Sequence, residues 1–182
     1  VNLDRAARLI KDFKKTAVDQ VSETLCDFDL KDTITALISS LGPETRKLAI
    51  VPKVSCAEDL KVQGLPGVLS QILTNLVMNS LRHAFAGVEA PEIFISAECM
   101  DKNVVLVYRD NGVGIPQELH KRVFEPFFTT KRGLGGSGLG LNIVYNLVTA
   151  KLNGTLGFES RIGHGTQFTI TFPAKSPAAT SV

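Results

Sequence analysis

Gln71, Asn75, Asn79 and Arg82 follow one another at spacings of four, four and three. On a helix those spacings stack side chains on one face. Leu69, Ile72, Leu73, Leu76, Val77 and Leu81 supply apolar groups at the positions between. A stripe of amides on an otherwise apolar helix is costly unless it meets water or a ligand. The amide oxygen of Asn79 suits Mg²⁺, a cation that takes oxygen donors and shares its shell with substrate phosphates. Arg82 and His83, one turn on, suit phosphate oxygens. Ordinary surface polarity with a hydrogen-bonded His83 accounts for the same residues as well.

Asp110-Asn111-Gly112-Val113-Gly114-Ile115 closes an apolar run. Its glycines permit close backbone approach. A carboxylate at a strand end beside such a turn can accept a hydrogen bond from an exocyclic amine, as on adenine. Asp-Asn-Gly also makes plain turns. Further on, Gly133-Leu134-Gly135-Gly136-Ser137-Gly138-Leu139-Gly140-Leu141 runs straight into a helical pattern. Free N–H groups at a helix start, with the helix dipole, attract anions. Ser137 can cap that helix and donate to phosphate. The run lacks the Gly-Lys-Ser/Thr of a Walker loop and the strand-led register of a dinucleotide fingerprint. Lys131 and Arg132 stand upstream, where they can swing over phosphates; a flexible basic loop is the plainer alternative. Between the two glycine clusters lies Phe124-Glu125-Pro126-Phe127-Phe128-Thr129-Thr130. Its phenylalanines form a latch over nucleotide, a docking patch, or a small satellite core beneath the loop.

Elements must position these groups. Leu3, Ala6, Ala7, Ile10, Phe13, Ala17 and Val21 recur at helical spacing and predict an amphipathic first helix. Phe28 to Leu30 reads as a short strand, with Asp29 or Asp32 capping a helix through Ile34, Leu37 and Ile38 that Gly42-Pro43 stops. Leu48 to Val54 reads as a strand, placed at an edge by Pro52. Gly64 to Gly67 is a turn opening a long helix through about Ala84. Ile93 to Cys99 and Val104 to Tyr108 predict an antiparallel pair. The stretch from Asn111 to Ser137 is long enough to be a functional or mobile loop. A helix over 138–152 follows, then strands over 155–160 and 166–172. The expected fold is an α/β (α+β) two-layer sandwich. Its mixed, mostly antiparallel sheet carries about three helices on one face, and the long loop covers a pocket. The expected division is a leading helix over 1–24, a main domain over 25–173 and a polar linker over 174–182.

The bulk properties narrow the class. A chain of 182 residues that is 44% hydrophobic supports one cored domain plus an appendage. A net charge of +2 gives no strong attraction to nucleic acid or membranes, and neither is expected as a partner of this segment. No apolar stretch approaches the ~20 residues that span a bilayer, and residues 1–20 lack a signal peptide's pattern. Cys26, Cys56 and Cys99 have no paired spacing and read as reduced thiols of a cytoplasmic protein.

Five segments stand in a telling order. Asn75-Leu76-Val77-Met78-Asn79, Asp110-x-Gly112-x-Gly114, Phe124-Glu125-Pro126-Phe127-Phe128, Gly136-Ser137-Gly138-Leu139-Gly140 and Gly163-x-Gly165-Thr166 resemble the boxes of sensor histidine kinase catalytic domains. Those domains share a superfamily with gyrase, heat-shock chaperone and mismatch-repair ATPases. The resemblance spans about Phe28 to Pro173 and implies the Bergerat-type ATP-binding fold, with ATP and Mg²⁺ as ligands. By that resemblance Asn79 would hold Mg²⁺, and Asp110 would contact the adenine amine, with Thr166 nearby through water. Gly112, Gly114 and Ile115 would shape the base pocket. Arg82, His83, Lys131 and the backbone of Ser137, Gly138, Leu139 and Gly140 would hold the triphosphate. Residues 124–136, including Phe127, Thr129, Thr130, Arg132 and Gly136, would form a mobile ATP lid. Gln63 and Ser80 depart from the Asp and Ala that the family often has there.

Asn75 stands where hydrolysing relatives usually carry a Glu that serves as base for water. An amide cannot take that proton. The substitution fits phosphoryl transfer to a neutral imidazole, with Asn75 and Lys131 as the catalytic pair acting by positioning and charge neutralisation. The first helix resembles the second helix of a dimerisation hairpin. No histidine precedes His83, and His120 and His164 sit in the lid and in a glycine turn. The phosphoacceptor helix would therefore belong to a segment absent from this sequence, which starts inside a helical pattern as a piece of a longer kinase would; a protein naturally lacking an acceptor is the alternative. The resemblance further implies a response-regulator receiver domain as partner and a homodimer in the full-length protein, which could be membrane-anchored. The other readings are a non-kinase relative (a serine kinase or an ATPase) and a nucleotide-binding module without transfer activity.

Overall fold

The computed structural model describes residues 24–130 and 137–175. The expected first helix, and Lys131, Arg132 and Gly136 of the expected lid, lie outside the described residues. The chain forms β1 (Cys26–Asp29), α1 (Leu30–Ser40), a short α2 (Gly42–Thr45), β2 (Lys53–Cys56), β3 (Lys61–Gly64) and α3 (Pro66–His83). There follow β4 (Ile93–Met100), β5 (Asn103–Asp110), α4 (Gly140–Asn146), β6 (Thr155–Arg161) and β7 (Gly165–Pro173). Leu147–Lys151 continue α4 as a wider, π-helical turn.

One five-stranded sheet runs β2-β4-β5-β7-β6. Only β2 on β4 is parallel; the other pairs are antiparallel. β1 and β3 form a separate antiparallel ribbon. Side chains on a strand alternate between faces. Ile93, Ile95 and Ala97 of β4, Val104, Leu106 and Tyr108 of β5, and Phe168, Ile170 and Phe172 of β7 are buried on one face. Phe94, Glu98 and Arg109, one residue out of step, are exposed. The helices cover the first face, and the second is the more open.

α3 meets the sheet through Leu69, Ile72, Leu73, Leu76 and Val77, all at most 1% exposed. Each such side chain contributes about 1.5–3 kcal/mol on burial. Asp29 caps α1: its carboxylate accepts from the Asp32 N–H at 3.0 Å. That hydrogen bond and Lys61 hold the Asp29 carboxyl below its ordinary value.

Several boundaries differ from the sequence expectation. The strand expected over Leu48 to Val54 begins only at Lys53. Arg46–Leu48 instead form a 3-10 turn that Ala49 ends in the left-handed region, so the Ile50 N–H bonds Thr45 carbonyl rather than a strand. The strand is nevertheless an edge strand. Gly42-Pro43 does not simply stop a helix, because both residues form the first turn of the short α2. β3 falls on residues 61–63, for which the sequence predicts no element, and on Gly64, the first residue of the expected turn. The tail does not leave the body at Pro173: Ala174 carbonyl accepts from the Gln63 N–H at 2.9 Å, and the Ala174 N–H donates to Lys102 carbonyl at 2.8 Å. Among the described residues no helix is long and apolar enough to cross a membrane.

Candidate nucleotide site

α3 carries two ridges with different duties. The ridge through Leu69, Leu73, Leu76, Ser80 and Ala84 turns inward and is buried. The ridge through Gln71, Asn75, Asn79 and Arg82 is offset from it and lines a cleft of about 500 Å³. Gly114, Ile115 and Pro116 of the loop after β5, Phe128 to Thr130, and Gly138, Gly140 and Ile143 close the other sides. The volume suits a small-molecule ligand.

Asp110 continues the buried parity of β5 beyond Leu106 and Tyr108. Its side chain therefore arrives on the helix-covered face, at the floor of the cleft, 3% exposed. The Gly112 and Thr166 N–H groups donate to one of its oxygens at 3.0 and 3.2 Å. Ser80 donates its hydroxyl proton to the other at 2.6 Å, and the Tyr108 hydroxyl donates to Ser80 at 2.8 Å. Burial pushes the Asp110 carboxyl up, while the bonds from Ser80, Gly112 and Thr166 pull against it. Burial likewise pushes the Tyr108 phenol up, out of the titrating range. The carboxylate is thus fixed in place with acceptor capacity to spare, since it can take about four hydrogen bonds.

Thr166 faces Asp110 in the β5–β7 register and also lines the cleft. Ser160 faces it from β6 and accepts from the Ile115 N–H at 2.8 Å. The Val113 N–H donates to Ala84 carbonyl at 2.8 Å, and Val113 carbonyl accepts from the Gly163 N–H at 2.9 Å. The loop after β5 is thereby tied to the end of α3 and to the β6–β7 turn. Asn111 ties it to the segment before β4, accepting from the Glu92 N–H at 2.7 Å and donating to Ala90 carbonyl at 2.8 Å.

At the opposite end, Asn75 donates its amide N–H to Gln71 carbonyl at 2.9 Å. Its oxygen faces α4, 3.6 Å from where a Cβ on Gly140 would stand. The Asn79 amide has no hydrogen-bond partner among the described residues, although it lines the cleft. No group of three His, Cys, Asp or Glu side chains suited to a metal occurs among those residues. A single amide oxygen can complete the shell only of a cation that keeps its waters and is shared with a ligand's phosphates. Arg82 and His83 line the same wall.

The phenylalanine segment divides. Phe124 packs edge-on against Phe158 at 5.5 Å and beside Tyr145 at 6.0 Å, in the manner of a satellite core. Its carbonyl accepts from the Asn142 amide at 3.0 Å, which fastens the loop to α4. Phe128 lines the cleft with Arg122 stacked 4.6 Å from its ring centre. Phe127, which the sequence placed among the ligand contacts, is 56% exposed and does not line the cleft. It adopts φ +64° and turns its ring outward. Gly138, at φ +70°, lies so near that a Cβ there would stand 2.5 Å from the Phe127 carbonyl carbon. Only glycine tolerates both conditions.

Of the remaining expected residues, Gly114, Ile115, Thr129, Thr130, Ser137, Gly138 and Gly140 border the cleft, and Gly112 and Leu139 lie behind its lining. Ser137 accepts from the Leu139 N–H at 3.3 Å, so it caps the turn before α4, which starts at Gly140 rather than Gly138. Sequence reasoning missed Tyr108, Ser160, Asn111 and Asn142 as supports. Strand parity was the available signal for Tyr108 and Ser160.

Residues 64–176 match the family model described as histidine kinase-, DNA gyrase B-, and HSP90-like ATPase. Sensor histidine kinase AtsR of Burkholderia thailandensis is 34% identical over 125 residues, 66% of this chain and 21% of that protein. The chain spans less than half the length of the curated relatives it matches. The nucleotide-free catalytic domain of histidine kinase ThkA superposes with a TM-score of 0.73 at 30% identity, over 84% of this chain and 97% of that one. ThkA in complex with the response regulator protein TrrA gives 0.72 at 26% identity, over 95% of this chain and 48% of that one.

Proposed function

Because this chain belongs to the histidine kinase-, DNA gyrase B- and HSP90-like ATPase family, we propose that it is the ATP-binding catalytic domain of a sensor histidine kinase and donates the γ-phosphoryl group of ATP to a histidine on another segment. One observation carries the reading. A buried, hydrogen-bonded carboxylate, Asp110, and an amide without a partner among the described residues, Asn79, line one cleft of about 500 Å³. The carboxylate takes a base amine, and the amide ridge and the start of α4 take the phosphates.

The Asp110 carboxylate and Thr166 hold the adenine end. Asn79 would hold Mg²⁺, which supplies charge neutralisation between the phosphates. Arg82 and His83, which line the cleft, would hold the triphosphate, and Lys131 and Arg132 are proposed to join them. Asn75, its N–H engaged with its own helix, presents an oxygen and no base. Water therefore has nowhere at Asn75 to leave a proton, whereas a neutral imidazole attacks without giving one up. Transfer is by positioning and charge stabilisation.

Residues 1–24 are proposed as the second helix of a dimerisation hairpin, with the acceptor histidine on the hairpin's first helix. A receiver domain is proposed as the onward partner, on the precedent of ThkA with TrrA. The decisive experiment mixes the chain with a separate segment bearing the acceptor histidine, labelled ATP and Mg²⁺. Acid-labile label is expected on that segment and is expected to be lost with Asn79→Ala. Steady hydrolysis of ATP without transfer would instead identify an ATPase.

A further inference from the structure

Ser160 Oγ has three polar neighbours, two of them on the cleft-lining residues Ile115 and Thr166. The Ile115 N–H donates to it at 2.8 Å. Gly165 carbonyl and Thr166 Oγ1 each stand 2.9 Å away. A hydroxyl has one proton and two lone pairs, and a carbonyl can only accept. The Ser160 proton therefore goes to Gly165. The contact with Thr166 is then bridged by the Thr166 proton. The reverse order would leave Ser160 Oγ and Gly165 carbonyl facing lone pair to lone pair at 2.9 Å. With its proton committed to Ser160, Thr166 has only lone pairs for the cleft.

A second chain of hydroxyls does the same for Asp110. Tyr108 donates to Ser80, and Ser80 donates to the Asp110 carboxylate. The other carboxylate oxygen is oriented by the Gly112 and Thr166 N–H groups. Asp110 and Thr166, which line this end, are thus both ordered as acceptors, and Ser80, which lines it beside them, has its proton committed to Asp110.

We propose that Ser160 is a specificity-determining positioning residue: by holding the Thr166 proton out of the cleft it makes the base end an acceptor-only wall that admits a 6-amino purine and rejects a 6-oxo purine. The proposal rests on the reading that this cleft binds ATP. A 6-amino group brings protons to these acceptors. A 6-oxo oxygen brings another lone pair and loses its water without replacement.

The test uses the full chain with Mg²⁺ and compares the affinities for ATP and ITP, which differ at C6, amino against oxo, and at N1, a lone pair against an N–H. In Ser160→Ala the Thr166 hydroxyl is released and can turn its proton into the cleft. The ATP-to-ITP ratio is expected to fall about tenfold. Adding Thr166→Val removes that proton and is expected to bring the ratio back to within about threefold of the parent. A merely structural role for Ser160 would weaken both nucleotides alike and leave the ratio unmoved, which would overturn the proposal. A double variant as permissive as the single one would overturn it as well. Ser160→Cys, close in volume and a weak hydrogen-bond partner, carries the same comparison where Ser160→Ala does not fold. A parent chain that binds neither nucleotide removes the reading of the cleft and the proposal together. A parent that binds ATP, with an unmoved ratio in the variants, removes the proton ordering alone.

Discussion

Asp110 shows how a single residue can serve binding while opposing stability. Burial pushes its carboxyl above the ordinary value of 3.8, against the hydrogen bonds from Ser80, Gly112 and Thr166. The folded chain therefore holds this proton more tightly than the unfolded chain. As the pH falls through the folded value, the folded state takes up the proton first, so this group's contribution to stability grows and is complete below the unfolded value. Base binding has the opposite sign, because the added proton takes an acceptor lone pair. ATP affinity is expected to fall on acidification at a pH above 3.8, at values where protonation of this group does not weaken the fold. Calorimetry and thermal melts over the same pH series test the opposed signs. Asp110→Asn is expected to bind ATP about tenfold more weakly at neutral pH and to flatten the acid limb. An unchanged acid limb in that variant would assign the effect elsewhere.

At the scale of elements, the loop that carries the phenylalanines is clamped at both ends. Asn142 holds the Phe124 carbonyl at one end, and Gly138 fits against the Phe127 backbone at the other. The cost of disturbing the second clamp separates into two parts. Gly163 also has a positive φ, +76°, but a Cβ there would meet nothing within 4 Å. Gly163→Ala is expected to cost about 1 kcal/mol, the backbone preference alone. Gly138→Ala adds a clash with backbone and is expected to cost about 2–4 kcal/mol, with a loss of ATP affinity that Gly163→Ala does not share. Urea midpoints and nucleotide titrations of the two variants give the comparison. The element scale is also where sequence boundaries failed. The apolar run Leu48 to Ile50 looks like a strand, yet Ile50 is buried as a plug after a helical turn. β3 is four residues long, and its pairing with β1 is not encoded in a local pattern.

The whole molecule is a scaffold whose two halves meet at the cleft: α3 and β5 bring the acceptors, while the phenylalanine loop and α4 form the opposite wall. A ligand bridging them is present only in the folded state, so it stabilises the fold by mass action. ATP with Mg²⁺ at about a hundred times its dissociation constant is expected to add about 2.7 kcal/mol, which for a chain of this size raises the melting temperature by roughly 5–10 °C. Asn79→Ala is expected to lose most of the part of that shift that depends on Mg²⁺. The sequence by itself determined the fold class and marked several of the polar residues that line the cleft. Helical spacing put Gln71, Asn75, Asn79 and Arg82 on one ridge, and the ordered glycine segments marked the loops, because both signals are periodic or local. Only the tertiary structure decided which of three phenylalanines lines the cleft, that Ala174 pairs with Gln63 and Lys102, and that Ser80, Tyr108, Ser160 and Thr166 form hydroxyl chains. Those outcomes depend on which strand lies beside which and in what register. Residues far apart in sequence, as Ser80 and Asp110 or Asp110 and Thr166, become hydrogen-bond partners only once the sheet and α3 have packed.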